Sequence, residues 1–165
     1  MQLISSDTSI WVDFEKLGHI EWPFRLNYTY LMSGMAIDDE LLSPTDFGKR
    51  LIRAGLLAVD LTDVELALLE EYTSKYRRLS TFDAIAMSIS KVREIVLLTG
   101  DKALRNAAEA EGVEVHGLLW ITDQLLDSNL ITRMDHDLCM RDLKNRLGTE
   151  FRLPVREIDQ RMLDN

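Results

Sequence analysis

The stretch LSTFDAIAMSISKVREIVLLTGDKALR, Leu79 to Arg105, reads as a helix, a buried strand and the start of a second helix. Ser80 is a helix-opening residue, because its hydroxyl can accept from the free N–H groups of a first turn. Phe82, Ile85, Ala86 and Ile89 then recur at helical spacing and define an apolar face. Ile95 to Leu98 is short and wholly aliphatic, as expected of a strand covered on both faces of a parallel sheet. The stretch sets one acid, Asp83, near the first helix start and another, Asp101, just past the strand.

Working outward, the same alternation continues in both directions. Gln2 to Ser6 reads as a strand ending at Asp7, followed by a helix with Ile10, Trp11, Phe14 and Leu17 on one side and Gly18 as its stop. Pro23 marks a loop. Tyr28 to Met32 is a second strand, Gly34 breaks it, and Met35 to Leu42 makes a short helix carrying Glu40. The cluster Ser43 to Asp46 opens a helix that runs to Ala54, with Gly55 as its stop. Leu56 to Leu61 is a third strand. Thr62 to Glu65 fits the capping-box pattern and starts a helix to about Lys75, with Val64, Ala67, Leu68 and Tyr72 expected on its buried face. Lys102 to Glu111 is a helix stopped by Gly112, and Val113 to Val115 a fifth strand. Three helices are expected after that, Leu118 to Asp127, Arg133 to Arg146, and Val155 to Leu163.

Strands alternating with helices imply an α/β fold with four to five parallel strands, right-handed crossovers and helices on both faces. Residues 1–126 would form the main body, and residues 127–165 a helical extension of the same domain. In such sheets the working site lies beyond the C-terminal strand ends, where the strand order reverses. Asp7 and Asp101 both follow strands directly, so both are expected at that edge.

Composition narrows the functional classes. A chain of 165 residues with 46% apolar and 28% charged residues has room for one domain with a true core. The net charge of −9 argues against holding nucleic acid through bulk positive charge, but not against an acidic site neutralised by metal ions. No apolar run approaches a membrane span, the N-terminus lacks the pattern of a signal peptide, and Cys139 has no partner for an internal disulfide. A cytoplasmic location without membrane attachment is the expectation.

Each acid has an ordinary reading when taken singly. Asp7 can close a turn, Asp83 and Asp101 can serve helix starts, and Glu40 can be a solvated helix residue. Together they suggest more. Asp83 lies ~60° around its helix from Ala86, so it borders the buried stripe that would pack on the sheet. Crowded carboxylates repel unless a cation intervenes, and Mg²⁺ or Mn²⁺ accepts such a shell of hard oxygens. Zinc is disfavoured, since no His and Cys cluster has ligand spacing. His136 and Cys139 lie one turn apart on an expected surface helix, and His19 and His116 read as structural. The chain has no GxxxxGK[ST], no GxGxxG after the first strand and no GxSxG, and Cys139 has no activating neighbour.

At these residues the chain resembles a PIN domain, the metal-dependent nuclease fold found in VapC-type toxins. The matching pieces are DTS at Asp7 to Ser9, the acid before a Leu-Leu pair at Glu40, DAIAMS from Asp83, and TGDKALR from Thr99 to Arg105. They span roughly Gln2 to Leu126. The resemblance implies a parallel sheet with Asp7, Glu40, Asp83 and Asp101 around one or two Mg²⁺ or Mn²⁺ ions. It implies that Ser9 hydrogen-bonds a ligand or the attacking water, and that Thr99 supports the turn presenting Asp101. It also implies RNA phosphodiester cleavage leaving a 5′-phosphate, a homodimer, and an antitoxin protein as a candidate partner. Single-stranded RNA is the expected substrate, because unstacked bases are within reach of side chains. Lys102 and Arg105 are candidates for steering its backbone, although Arg105 also reads as a solvated helix residue. Lys75, Arg77 and Arg78 form the densest basic cluster and fit a solvated helix end.

Two departures and one addition mark this chain. IDDELL leaves Asp39 as an alternative to Glu40, and Gly100 stands where many relatives carry Asn or another residue. The tail FRLPVREID resembles that of a PIN subgroup with an extra helical segment, which would dimerise, dock an antitoxin or cover the site. The alternatives are a catalytically silent PIN-like module that binds protein or RNA, or another Mg²⁺-dependent α/β phosphoesterase or DNA nuclease. A phosphatase with an aspartyl nucleophile usually carries a second Asp two residues on, where this chain has Ser9.

Overall fold

A computed structural model describes residues 1–41 and 46–163. The strands are β1 (Gln2–Ser6), β2 (Tyr28–Ser33), β3 (Leu57–Val59), β4 (Val96–Leu98) and β5 (Val115–His116). They form one all-parallel sheet in the order β3-β2-β1-β4-β5. The helices are α1 (Thr8–Leu17), α2 (Gly34–Ala36), α3 (Phe47–Ala54), α4 (Asp63–Lys75), α5 (Thr81–Arg93), α6 (Lys102–Ala110), α7 (Leu118–Asp127), α8 (Arg133–Asn145) and α9 (Val155–Asp159).

Successive strand residues point to opposite faces, and β4 shows the consequence. Val96 and Leu98 enter one core with Ile4, Trp11 and Phe14 of α1, Ile121 of α7, Leu143 of α8 and Ile158 of α9. Leu97 enters the other, with Tyr72 of α4, Met87 of α5 and Leu104 and Ala108 of α6. The result is a sheet between two helical layers. Ser5 faces α5 and donates its hydroxyl to Ala86 O at 3.0 Å, which ties that helix to the central strand.

The order reverses between β1 and β4, so a crevice opens past their C-terminal ends. The Asp7 N–H donates to Leu98 O at 3.0 Å, carrying the pairing one step beyond the strand. The acid after β1 is thereby fixed beside the loop after β4.

Several elements differ from the sequence reading. The expected helix Met35 to Leu42 is instead the short α2 followed by a single π turn, Ile37–Leu41; Leu42 and Ser43 to Thr45 lie outside the described residues. β3 is only three residues long, with Leu57 half exposed as on an edge strand. β5 begins two residues late, because Gly112 at φ 74° lets the Val113 N–H close on Ala108 O and end α6 first. On α4 the buried face holds Glu65 and Tyr72, whereas Val64 and Ala67 are exposed. The cause is Arg93 of α5, which draws Glu65 inward.

The C-terminal segment joins the first core rather than standing apart. Ile158 is fully buried, Arg161 grips the Asp123 carboxylate at 2.8–3.0 Å, and the Leu163 N–H donates to Asp137 at 2.6 Å. α8 is therefore no surface helix: His136, Cys139, Met140 and Leu143 are all buried against α7. Burial raises the Cys139 thiol to about 12, which makes it unreactive. At the other end of α8, Thr132 and Asp135 exchange hydrogen bonds as a capping box. Thr132→Ala removes half of it and is expected to cost about 1 kcal/mol, read as a lower urea midpoint with an unchanged slope. An unchanged midpoint would show that packing alone holds this end.

Candidate active site

Asp7 occupies the N-cap position of α1, yet its carboxylate does not cap the helix. It turns into the crevice instead, 5% exposed. There it sits at the end of two short relays. The Gly100 N–H donates to Ser9 Oγ at 2.9 Å, and Ser9 Oγ donates to Asp7 Oδ2 at 2.7 Å. The Asp101 N–H donates to Thr99 Oγ1 at 3.0 Å, and Thr99 Oγ1 donates to the same Oδ2 at 3.0 Å. Each hydroxyl has one proton, and accepting from a backbone N–H directs that proton to the carboxylate. Both donors fall on Oδ2, so Oδ1 has no hydrogen-bond donor among the described residues.

These bonds favour the carboxylate, but burial outweighs them. Desolvation, with repulsion from Asp83 and Glu40 added, raises Asp7 to about 6 against the opposing Ser9 and Thr99 bonds. Glu40 comes from the π turn and accepts the Thr8 hydroxyl at 2.7 Å. With Asp7, Thr8 and Ser33 it lines a small cleft of about 10 Å³, room for roughly one water-sized particle. Glu40 rather than Asp39 is thus the acid facing Asp7.

The other two acids stand at helix starts. Asp83 completes a capping box, its Oδ2 accepting the Ser80 N–H at 2.9 Å. Asp101 caps α6, its Oδ1 accepting the Leu104 N–H at 2.8 Å. Each keeps its second oxygen out of the cap. Asp83 is close enough to repel Asp7, whereas Asp101 connects to it only through Thr99. Among the described residues, no three His, Cys, Asp or Glu side chains already form a metal shell. The donors are nevertheless all hard carboxylate oxygens, and the crowding around Asp7 is what a divalent cation relieves, so Mg²⁺ or Mn²⁺ fits this set better than zinc.

A fifth acid escaped the sequence reading. Asp13 follows Ser9 by one helical turn, and burial raises it to about 6, with Lys16 opposing and Asp7 adding to the rise. Its Oδ2 would lie 2.8 Å from a Cβ on Gly100, so the Asp13 side chain lies against that turn. The i, i+4 spacing from Ser9 was the available signal.

Beyond Thr99 and Gly100 the crevice widens into a pocket of about 780 Å³ between α6, α7 and the C-terminal segment. Thr99, Lys102 and Arg105 all line it, as do Asp13, His116 and Trp120. His116 stacks on Trp120 with centroids 4.3 Å apart, and Trp120 stacks on Tyr28 at 5.5 Å. Lys75, by contrast, is not among the residues lining this pocket and is bound to Glu111 at 2.6 Å. No helix among the described residues is long and apolar enough to cross a membrane.

A family model described as DUF3368, PIN domain, matches residues 3–162. Among solved structures, a PilT N-terminus domain protein from the archaeon Sulfolobus solfataricus P2 aligns with a TM-score of 0.52 at 15% identity, covering 75% of this chain and 91% of that one. At that identity the likeness bears on the fold alone. No curated protein matches the chain significantly.

Proposed function

The chain belongs to the PIN domain family, whose members are generally nucleases and typically depend on divalent metal, and from that premise we propose that it is an Mg²⁺- or Mn²⁺-dependent endoribonuclease. The observation that supports this reading is the Asp7 carboxylate, raised chiefly by burial and further by Asp83 and Glu40, and held by Ser9 and Thr99. Asp7, Glu40, Asp83 and Asp101 would hold the metal, directly or through water. When bound, such an ion activates water as a nucleophile and offsets charge on the phosphate.

The chain's own residues do the rest. Ser9 and Thr99 fix the orientation of the Asp7 carboxylate, so that Oδ1 is the oxygen presented to a ligand. Thr99 also accepts from the Asp101 N–H, which sets the start of α6 relative to Asp7. Lys102 and Arg105 flank the phosphodiester backbone of a single strand. A toxin role with an antitoxin partner, and a homodimeric assembly, are part of the same reading and rest on the resemblance of the motifs alone.

One observation favours a second reading, a silent PIN-like module that binds without cutting. Asp83 and Asp101 each spend an oxygen on a helix cap. Incubation of mixed single-stranded and structured RNAs with Mg²⁺, Mn²⁺ or EDTA separates the two. Cleavage that needs metal and is lost in Asp101→Asn is the expected result. No cleavage by folded, metal-supplied protein on any RNA would move the assignment to the binding module.

A further inference from the structure

The larger pocket has a composition that metal chemistry alone does not require. At about 780 Å³ it lies within the size range of small-molecule sites, far beyond what a hydrated ion needs. Its wall carries the exposed end of a ring stack, since His116 and Trp120 line it while Tyr28, the third ring, does not. Lys102 and Arg152 also line it, and neither has an acidic partner among the described residues. The other two lining arginines are by contrast paired, Arg161 with Asp123 and Glu157 and Arg105 with Glu109 at 3.8 Å. Arg105 lies over Gly117, and its Nη1 donates to Val115 O at 3.4 Å.

The pocket is also continuous with the carboxylate site. Thr99 both hydrogen-bonds Asp7 and lines the pocket, and Gly100 and Asp13 form the shared edge. The far wall is preformed, because Arg161 pins the C-terminal segment to Asp123 on α7. Asp13 repels phosphate, so an anionic group belongs at Lys102 and Arg152, the lining cations left unpaired among the described residues.

We propose that this pocket holds one unstacked nucleotide of the RNA strand, with its base on the His116 ring that ends the stack and its phosphate at Lys102 and Arg152. The proposal rests on the nuclease reading and gives it a subsite beside the carboxylates. Flat rings bind any base by stacking, while free cations supply the phosphate contact. The C-terminal segment is then a wall of the substrate site.

The test is binding of labelled five-nucleotide single-stranded RNAs in EDTA, where no cleavage occurs, followed by cleavage with Mn²⁺. The variants are Lys102→Ala/Arg152→Ala, both exposed positions, and His116→Ala, with folding checked by thermal melting. The double variant is expected to bind at least tenfold more weakly, with the slope of log K against log salt smaller by about 0.7, the value for one phosphate contact on a single strand. Unchanged affinity and slope in the folded double variant would overturn the proposal while leaving cleavage intact. Binding that responds to these variants, without cleavage by the wild type, would keep the subsite and remove the nuclease reading. Absence of RNA binding by the folded wild type would also overturn the proposal.

Discussion

Asp7→Asn is expected to make the metal-free protein more stable at neutral pH while abolishing cleavage. The Asp7 carboxylate is held at about 6 rather than 3.8, chiefly by burial. The native state therefore binds a proton more readily than the unfolded chain. Below pH 3.8 both states are protonated and there is no penalty. As pH rises through 6 the native state loses that proton and stability falls, by about 3 kcal/mol in full. Asparagine has the same shape, still accepts from Ser9 and Thr99, and carries no charge. Urea unfolding in EDTA should show the variant more stable at pH 7 by on the order of 2 kcal/mol, with the gap closing below pH 4. Mg²⁺ or Mn²⁺ should then stabilise the wild type but not the variant, because binding only to the native state adds to its stability. Cleavage should fall on the order of a hundredfold or more, beyond the loss seen when a residue behind a metal ligand is removed. A variant less stable than wild type at every pH would mean that Asp7 is a structural acid.

The second large effect lies in the opposite layer. Glu65 is fully buried between α4 and α5. Arg93 contacts it at 2.6 and 3.1 Å, and the Thr62 N–H donates to it at 2.8 Å. Burial alone would raise this carboxylate, but Arg93 and Thr62 hold it below the usual range. Arg93→Met leaves a buried charge without its counter-ion and should cost about 3–5 kcal/mol. Adding Glu65→Gln should recover much of the loss, since no charge is then stranded. The pH dependence should also change sign. In the wild type this pair's contribution is present above the unfolded carboxylate range and is lost as pH falls. In Arg93→Met the penalty should shrink in acid, where Glu65 can protonate. Unfolding of the single and double variants at pH 7 and 5 measures both effects. A loss under 1 kcal/mol would place Glu65 in contact with water.

The fate of particular residues shows what the sequence made legible. The parallel sheet and the edge that carries Asp7 and Asp101 could be read because strands alternate with helices, Ile95 to Leu98 is aliphatic throughout, and both acids follow strands directly; the strand order could not. Ser80 and Thr62 announced their helices through local chemistry that needs only three residues. Glu65 misled, because its burial depends on Arg93, twenty-eight positions away. The π turn carrying Glu40 left no local mark, for the same apolar spacing serves an ordinary helix. Asp13 was hidden for a similar reason: a charged residue on an amphipathic helix reads as solvent-facing until the loop at Gly100 is laid against it. The large pocket was beyond sequence reading, since its walls come from four separated segments that meet only after the C-terminal helices dock.

The placement of β1 has a consequence for how the molecule is made. The sheet's central strand comes from residues 2–6, and its neighbour β4 from residues 96–98, so their pairing closes a loop of some ninety residues. Contacts that distant carry their entropy cost before any reward arrives, which slows folding. Asp7 meets Thr99 only across that closure. An incompletely folded chain accordingly has helices, and even a half-built sheet, but no joined carboxylate cleft. The cleft that joins Asp7 to Thr99 is therefore among the last features to form, and it forms in one step with the closure of the sheet.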